Sequence, residues 1–144
     1  MLLCSRLALC RLALLSLFAL AACDSGGPTD AGRVAGRYVG VRGPGVPPQA
    51  VTYDATLIEA ANGTVSGQGV LFNEKVTWPI TVSGTRDASR VRLAVRRTEF
   101  PAAVPDSFVA TVSSDAAILS GTLFRPGGIN SSSPFTLTRT PAAP

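Results

Sequence analysis

Val76-Thr77-Trp78-Pro79-Ile80-Thr81-Val82-Ser83-Gly84, followed after a short polar break by Arg90-Val91-Arg92-Leu93-Ala94-Val95, decides the fold of this chain. Apolar and polar residues alternate through both stretches. Successive side chains of a β-strand point to opposite faces, so each stretch reads as a strand with one face toward a core. That places Val76, Trp78, Ile80, Val82, Val91, Leu93 and Val95 inward, and Phe108, Ala110 and Val112 join them by the same alternation.

Outward from this centre the pattern repeats, with Val, Thr and Ser frequent and turn residues recurring between the runs. Candidate strands cover 36–41, 51–59, 64–72, 76–84, 90–98, 107–113, 118–124 and 134–139. No segment among them keeps a 3.6-residue apolar period, so the expected class is all-β. Asn62-Gly63 predicts a two-residue type I′ hairpin, because that pair tolerates positive φ at both central positions. Pro79 cannot donate to a ladder and predicts an edge or a bulge. Gly67, Gly69 and Gly121 lie inside candidate strands; they predict close backbone approach in a strongly coiled sheet, with clearance for an internal ligand as the functional alternative.

The N-terminus carries a different signal. Arg6 and Arg11 precede the apolar run from Leu12 to Ala22, which leads into Leu20-Ala21-Ala22-Cys23. A basic segment, a short apolar core and small residues at a cleavage point are the parts of an export signal, and the run is too short to span a bilayer. Leu20-Ala21-Ala22-Cys23 resembles the lipobox of bacterial lipoproteins. That resemblance implies a lipid, palmitate among its acyl chains, on Cys23, with the membrane as a partner through that lipid. The expected location is the bacterial cell envelope, the outer membrane ahead of the inner one. Asp24 resembles an inner-membrane retention signal of some bacteria, but that rule does not transfer across phyla. The expected organisation is a signal peptide over 1–22, a tether over 23–34, one all-β domain over 35–140 and a tail over 141–144.

Loss of residues 1–22 leaves one cysteine and one domain's worth of chain. There is no histidine, which removes the commonest general base and the commonest transition-metal ligand. A Ser-His-Asp triad, a Cys-His pair and a histidine-built zinc site are all excluded. The formal charge of +4 includes Arg6 and Arg11, so the remaining excess is small and nucleic acid is not an expected partner.

The opening Gly36-Arg37-Tyr38, the recurring Val-Ser-Gly-Thr hairpins and the closing Phe135-Thr136-Leu137-Thr138-Arg139 together resemble the lipocalin-like, or calycin-like, barrels. The resemblance implies an eight-stranded antiparallel meander barrel, with a β-sandwich as the alternative, and an Arg139 packed across Tyr38. Tyr38 stands where the family usually has tryptophan. An eight-stranded interior is filled by side chains or holds one small ligand. If a small apolar ligand is bound, Tyr38, Tyr53, Trp78 and Phe108 are expected to line it. The alternative is a structural or assembly lipoprotein with a solid core, meeting another envelope protein through its outer face or loops.

Other polar residues read as follows. Arg90, Arg92 and Arg96 share the outer face of one strand, with Arg86 and Arg97 nearby; they either keep that face solvated or meet an anionic partner. Asp54 and Glu59 have odd spacing and fall on opposite faces, a poor acid–base pair. Glu74, Asp87, Glu99, Asp106 and Asp115 sit beside turns and are expected to serve solubility. No catalytic residue, cofactor or metal ligand emerges, and the protein is not expected to be an enzyme. The segments 42–48 and 125–133 read as loops able to grip a partner.

Overall fold

The computed structural model describes residues 32–43, 50–127 and 132–141. Cys23, the apolar run before it, most of the expected tether and much of both proposed gripping loops lie outside the described residues.

Eight strands form a closed antiparallel meander: β1 Gly36–Arg42, β2 Val51–Glu59, β3 Thr64–Phe72, β4 Thr77–Asp87, β5 Arg90–Arg97, β6 Asp106–Val112, β7 Ile118–Phe124 and β8 Ser132–Arg139. Each strand pairs with its neighbours in sequence, and β1 closes on β8 through Tyr38↔Arg139 and Val39↔Thr138. The fold is therefore the meander barrel and not the sandwich. That closing seam is the shortest ladder of the barrel, two paired residues against six to nine elsewhere.

Alternation does what the sequence predicts along β5 and β6: Val91, Leu93, Val95, Phe108, Ala110 and Val112 are all buried. On β4 it holds for Ile80 and Val82 but weakens toward the strand's start, where Trp78 is only partly buried and Val76 is 44% exposed. These two residues sit at the rim of the barrel.

Pro79 makes no edge. It pairs with Val70 inside an intact β3–β4 ladder. Its carbonyl accepts from the Thr98 N–H at 3.0 Å, so its absent N–H faces the β5 side, just beyond Arg97 where β5 ends. The missing donor falls opposite Thr98, one step past the last β4–β5 pair, so it interrupts no bond inside the ladder.

The glycines sit where the coiled sheet brings backbones together. A Cβ at Gly69 would lie 2.6 Å from Ala55 Cα, and one at Gly121 would lie 2.5 Å from Ala110 Cα. Neither clears room for a ligand. The Asn62-Gly63 turn also differs from expectation. Residues 60–63 form a four-residue connection in which the Gly63 N–H donates to Ala60 O at 3.0 Å, and only Gly63 has positive φ, +79°. This is a type I turn followed by a left-handed glycine, not type I′. The tightest hairpin is Ala88-Ser89, between the paired Asp87 and Arg90, with Ala88 at φ 49°.

The interior is packed. Phe108 and Phe135 meet edge to face with ring centroids 5.2 Å apart, and Tyr53 and Phe135 lie 4.9 Å apart. Burial of each large apolar side chain contributes about 1.5–3 kcal/mol. The space left among Tyr53, Leu57, Leu93, Phe108, Phe135 and their neighbours amounts to about 20 Å³.

Candidate functional site

The two ends of the barrel are built differently, and their chemistry separates accordingly. At one end, the tied end, the chain enters at Gly32 and three short turns connect the strands, over 60–63, 88–89 and 113–117. Val34, which the sequence places in the tether, is fully buried there. Its N–H donates to Glu59 Oε2 at 2.7 Å, and Arg86 Nη1 reaches the same carboxylate oxygen at 3.1 Å and also Gly32 O. Asp54 and Glu59 stay on separate faces as expected. Asp54 is drawn to Arg37 at 2.6 Å on the outside, and that hydrogen bond holds its carboxyl below the usual aspartate range.

Tyr38 and Arg139 finish this end. The Tyr38 hydroxyl donates to Ala116 O at 2.5 Å, and Arg139 Nη2 donates to Arg33 O, Asp115 O and Ala116 O at 2.8, 3.1 and 2.9 Å. The guanidinium carbon lies 5.7 Å from the Tyr38 ring centroid, the pairing that the resemblance implies. Burial pushes the Tyr38 phenol above its ordinary value. Tyr38 is thus a structural cap with no exposure and does not border the small internal space.

The other end, the loop end, carries the turn over 73–76 and the loop over 98–105, with the described ends of the β1–β2 and β7–β8 connections. Between the 98–105 loop and Arg125 lies a cleft of about 350 Å³, with Val95 and Asp106 in its wall and Phe100 and Val104, 52% and 70% exposed, on its lip. Arg97 borders the same cleft and carries its guanidinium 4.8 Å from the Trp78 ring centroid. Asp106 joins this cleft to the interior: it accepts from the Tyr53 hydroxyl at 3.0 Å and faces Arg125 Nε at 3.9 Å. Burial, then the Asp106 charge, drives the Tyr53 phenol well above its ordinary value.

Of the residues expected to line a ligand, Tyr53 and Phe108 border the 20 Å³ space, whereas Trp78 stands at the rim under Arg97. The arginine stripe divides. Arg90 and Arg92 are exposed on the outer face of β5, but Arg96 turns to the loop and donates to Pro101 O and Ala103 O at 2.6 and 2.7 Å. Asp106, assigned to solubility from sequence, is instead a strand residue with two partners. Arg97, Phe100, Val104 and Arg125 acquire a common setting only through the loop's fold. Arg125 and Pro126, at the start of the segment that reads as a loop from sequence, border this cleft.

Among the described residues no three His, Cys, Asp or Glu side chains converge as a metal site. Compared with protein families, with curated proteins and with solved structures, the chain matches none. What the geometry defines is a class by shape, an eight-stranded meander barrel with one tied end and one open to loops.

Proposed function

We propose that this protein is a non-catalytic, lipid-anchored barrel of the bacterial cell envelope, distantly akin to the lipocalin-like barrels, that interacts through its loop end and outer face. The observation that carries this reading is the filled interior. A space of about 20 Å³ is near the size that admits one water, whereas small-molecule pockets run from about 300 to 1,000 Å³. An apolar ligand carried inside the barrel would have to displace Tyr53, Phe108 and Phe135 from one another. The solid-core alternative is therefore favoured over internal ligand transport.

The anchor rests on Leu20-Ala21-Ala22-Cys23 and on the apolar run ahead of it. Two or three acyl chains, at about 0.8 kcal/mol per buried methylene, hold a domain to a bilayer for long periods. The entry of the chain at the tied end supports the loop end as the face turned away from that bilayer.

Cell fractionation of Cys23→Ser, with palmitate labelling alongside, tests the anchor. The expected result is loss of label and release of the domain from membranes. Equal membrane association of parent and variant, with the signal cut normally in both, would remove the lipid anchor from the account.

A further inference from the structure

We infer that the cleft at the loop end is a binding site for a small amphipathic organic anion, one carrying a single carboxylate or phosphate beside an apolar group. This deepens the proposed function, since it names the chemistry of the interaction at the loop end. The cleft's about 350 Å³ falls within the usual range of ligand sites, about 300–1,000 Å³. Its charge is unbalanced: Arg96, Arg97 and Arg125 border it against the single carboxylate of Asp106. Arg97 has no carboxylate within salt-bridge distance among the described residues, and its guanidinium rests on the Trp78 face at 4.8 Å. A guanidinium placed over an aromatic ring is attracted by the ring without using its N–H donors, which stay available to an anionic acceptor.

The nearest rival for the cations is already committed. Asp106 accepts from Tyr53 and stands 3.9 Å from Arg125, beyond good hydrogen-bond length. Arg96 spends N–H groups on Pro101 O and Ala103 O, which fixes the loop while leaving its charge uncompensated by those neutral acceptors. Glu99 lies on the same loop and is exposed, but it does not border the cleft. The apolar half of the ligand falls to Phe100 and Val104, both too exposed to serve the core.

The source of such an anion is either free solution or a lipid headgroup. The chain enters the barrel at Gly32, at the opposite end, clasped by Arg86 and Glu59. On the lipid-anchor reading the cleft faces away from the membrane, so the ligand is a free small anion.

The test uses the full-length Cys23→Ser chain, which keeps the barrel intact and carries no acyl group, titrated by calorimetry with sodium octanoate, octanol and sodium acetate. Trp78, the sole tryptophan, reports the same site by emission. Octanoate is expected to saturate and shift Trp78 emission, with octanol and acetate each at least tenfold weaker. Arg97→Gln should weaken octanoate at least tenfold, the loss of one charged hydrogen bond, and Val104→Glu should abolish it with the melting temperature little changed. Arg97→Lys should retain more affinity than Arg97→Gln.

Equal binding of octanol and octanoate, absence of saturation at millimolar octanoate, or parent-like binding by folded Arg97→Gln would each overturn the site. Sedimentation of the protein by phosphatidylglycerol vesicles through Arg97, without octanoate binding, would overturn the free-anion assignment. None of these outcomes bears on release of Cys23→Ser from membranes, which tests the anchor separately.

Discussion

The tied end and the loop end use the same residue types to opposite effect. At the tied end Arg86 and Arg139 are each bound into backbone carbonyls of the entering chain, and Glu59 and Tyr38 complete the set. At the loop end Arg97 lies over an indole, and Arg125 keeps only a long approach to Asp106. A satisfied arginine holds structure, whereas one with donors to spare can take a ligand. The difference follows from loop length: short turns bring carbonyls within reach of Arg86 and Arg139, while the eight residues over 98–105 engage only Arg96 and hold Phe100 and Val104 out in solvent.

The sharpest break of this comparison comes from apolar truncation. Leu57, 1% exposed toward the tied end, should cost about 2–5 kcal/mol as Leu57→Ala. Trp78→Ala deletes a larger group but at the rim, and thermal or urea unfolding should show a smaller loss than for Leu57→Ala. The reverse order would make the loop end part of the core.

Next come the arginines. Arg139→Ala strands Arg33 O, Asp115 O and Ala116 O and should cost about 2–3 kcal/mol. Glu59→Gln, which weakens the partly buried pair with Arg86, should cost about 1–2 kcal/mol. Arg97→Gln removes one cation–π contact and should cost less than about 1 kcal/mol. Comparable losses for Arg97→Gln and Arg139→Ala, read from denaturant midpoints, would erase the distinction between the ends.

The response to pH is expected at the extremes. Tyr38 and Tyr53 are the only tyrosines, and burial raises both above 10.0. Their contribution is complete below the unfolded phenol value and is lost as pH rises above it, so alkaline absorbance titration should show both ionising later than in urea. Asp54 is lowered by its Arg37 hydrogen bond, and Asp115 by the Ser113 hydroxyl. Their contribution is present above the ordinary value of 3.8 and is lost as pH falls below it toward the folded value. Arg37 is 59% exposed, so the acid effect should be the smallest of all. With no histidine to titrate, the melting temperature should stay nearly level between these limits.

Strand positions were legible because a period of two is written locally in each segment, and the glycines within strands were read correctly as sites of close approach. Turn geometry was not. Asn62-Gly63 carries the composition of a type I′ turn, yet β2 and β3 pair in a register that sets Glu59 opposite Val65, too wide for a two-residue turn, and the two-residue hairpin falls on Ala88-Ser89 instead. Register is set by which faces bury, and it overrides local preference. Pro79 misled for a related reason: its effect depends on where β5 ends, a property of the neighbouring strand. Val34 reads as tether because a single apolar residue has no period. The cleft was the least legible feature, since Arg97, Val104 and Arg125 meet through loop conformation and share no spacing. The Tyr38–Arg139 contact, spanning 101 residues, entered only through resemblance to a family pattern.

The central claim is that nothing but side chains fills the barrel and that binding belongs to the loop end. Methyl-resolved NMR of the Cys23→Ser chain tests it most directly, with octanol as a neutral apolar probe and octanoate as a charged one. Leu57, Leu93, Leu123 and Leu137 all border the 20 Å³ space and report the interior, while Val104 reports the cleft. The account predicts that octanoate shifts Val104 saturably and that neither probe moves the four leucines; a saturable shift of those leucines with octanol would contradict it.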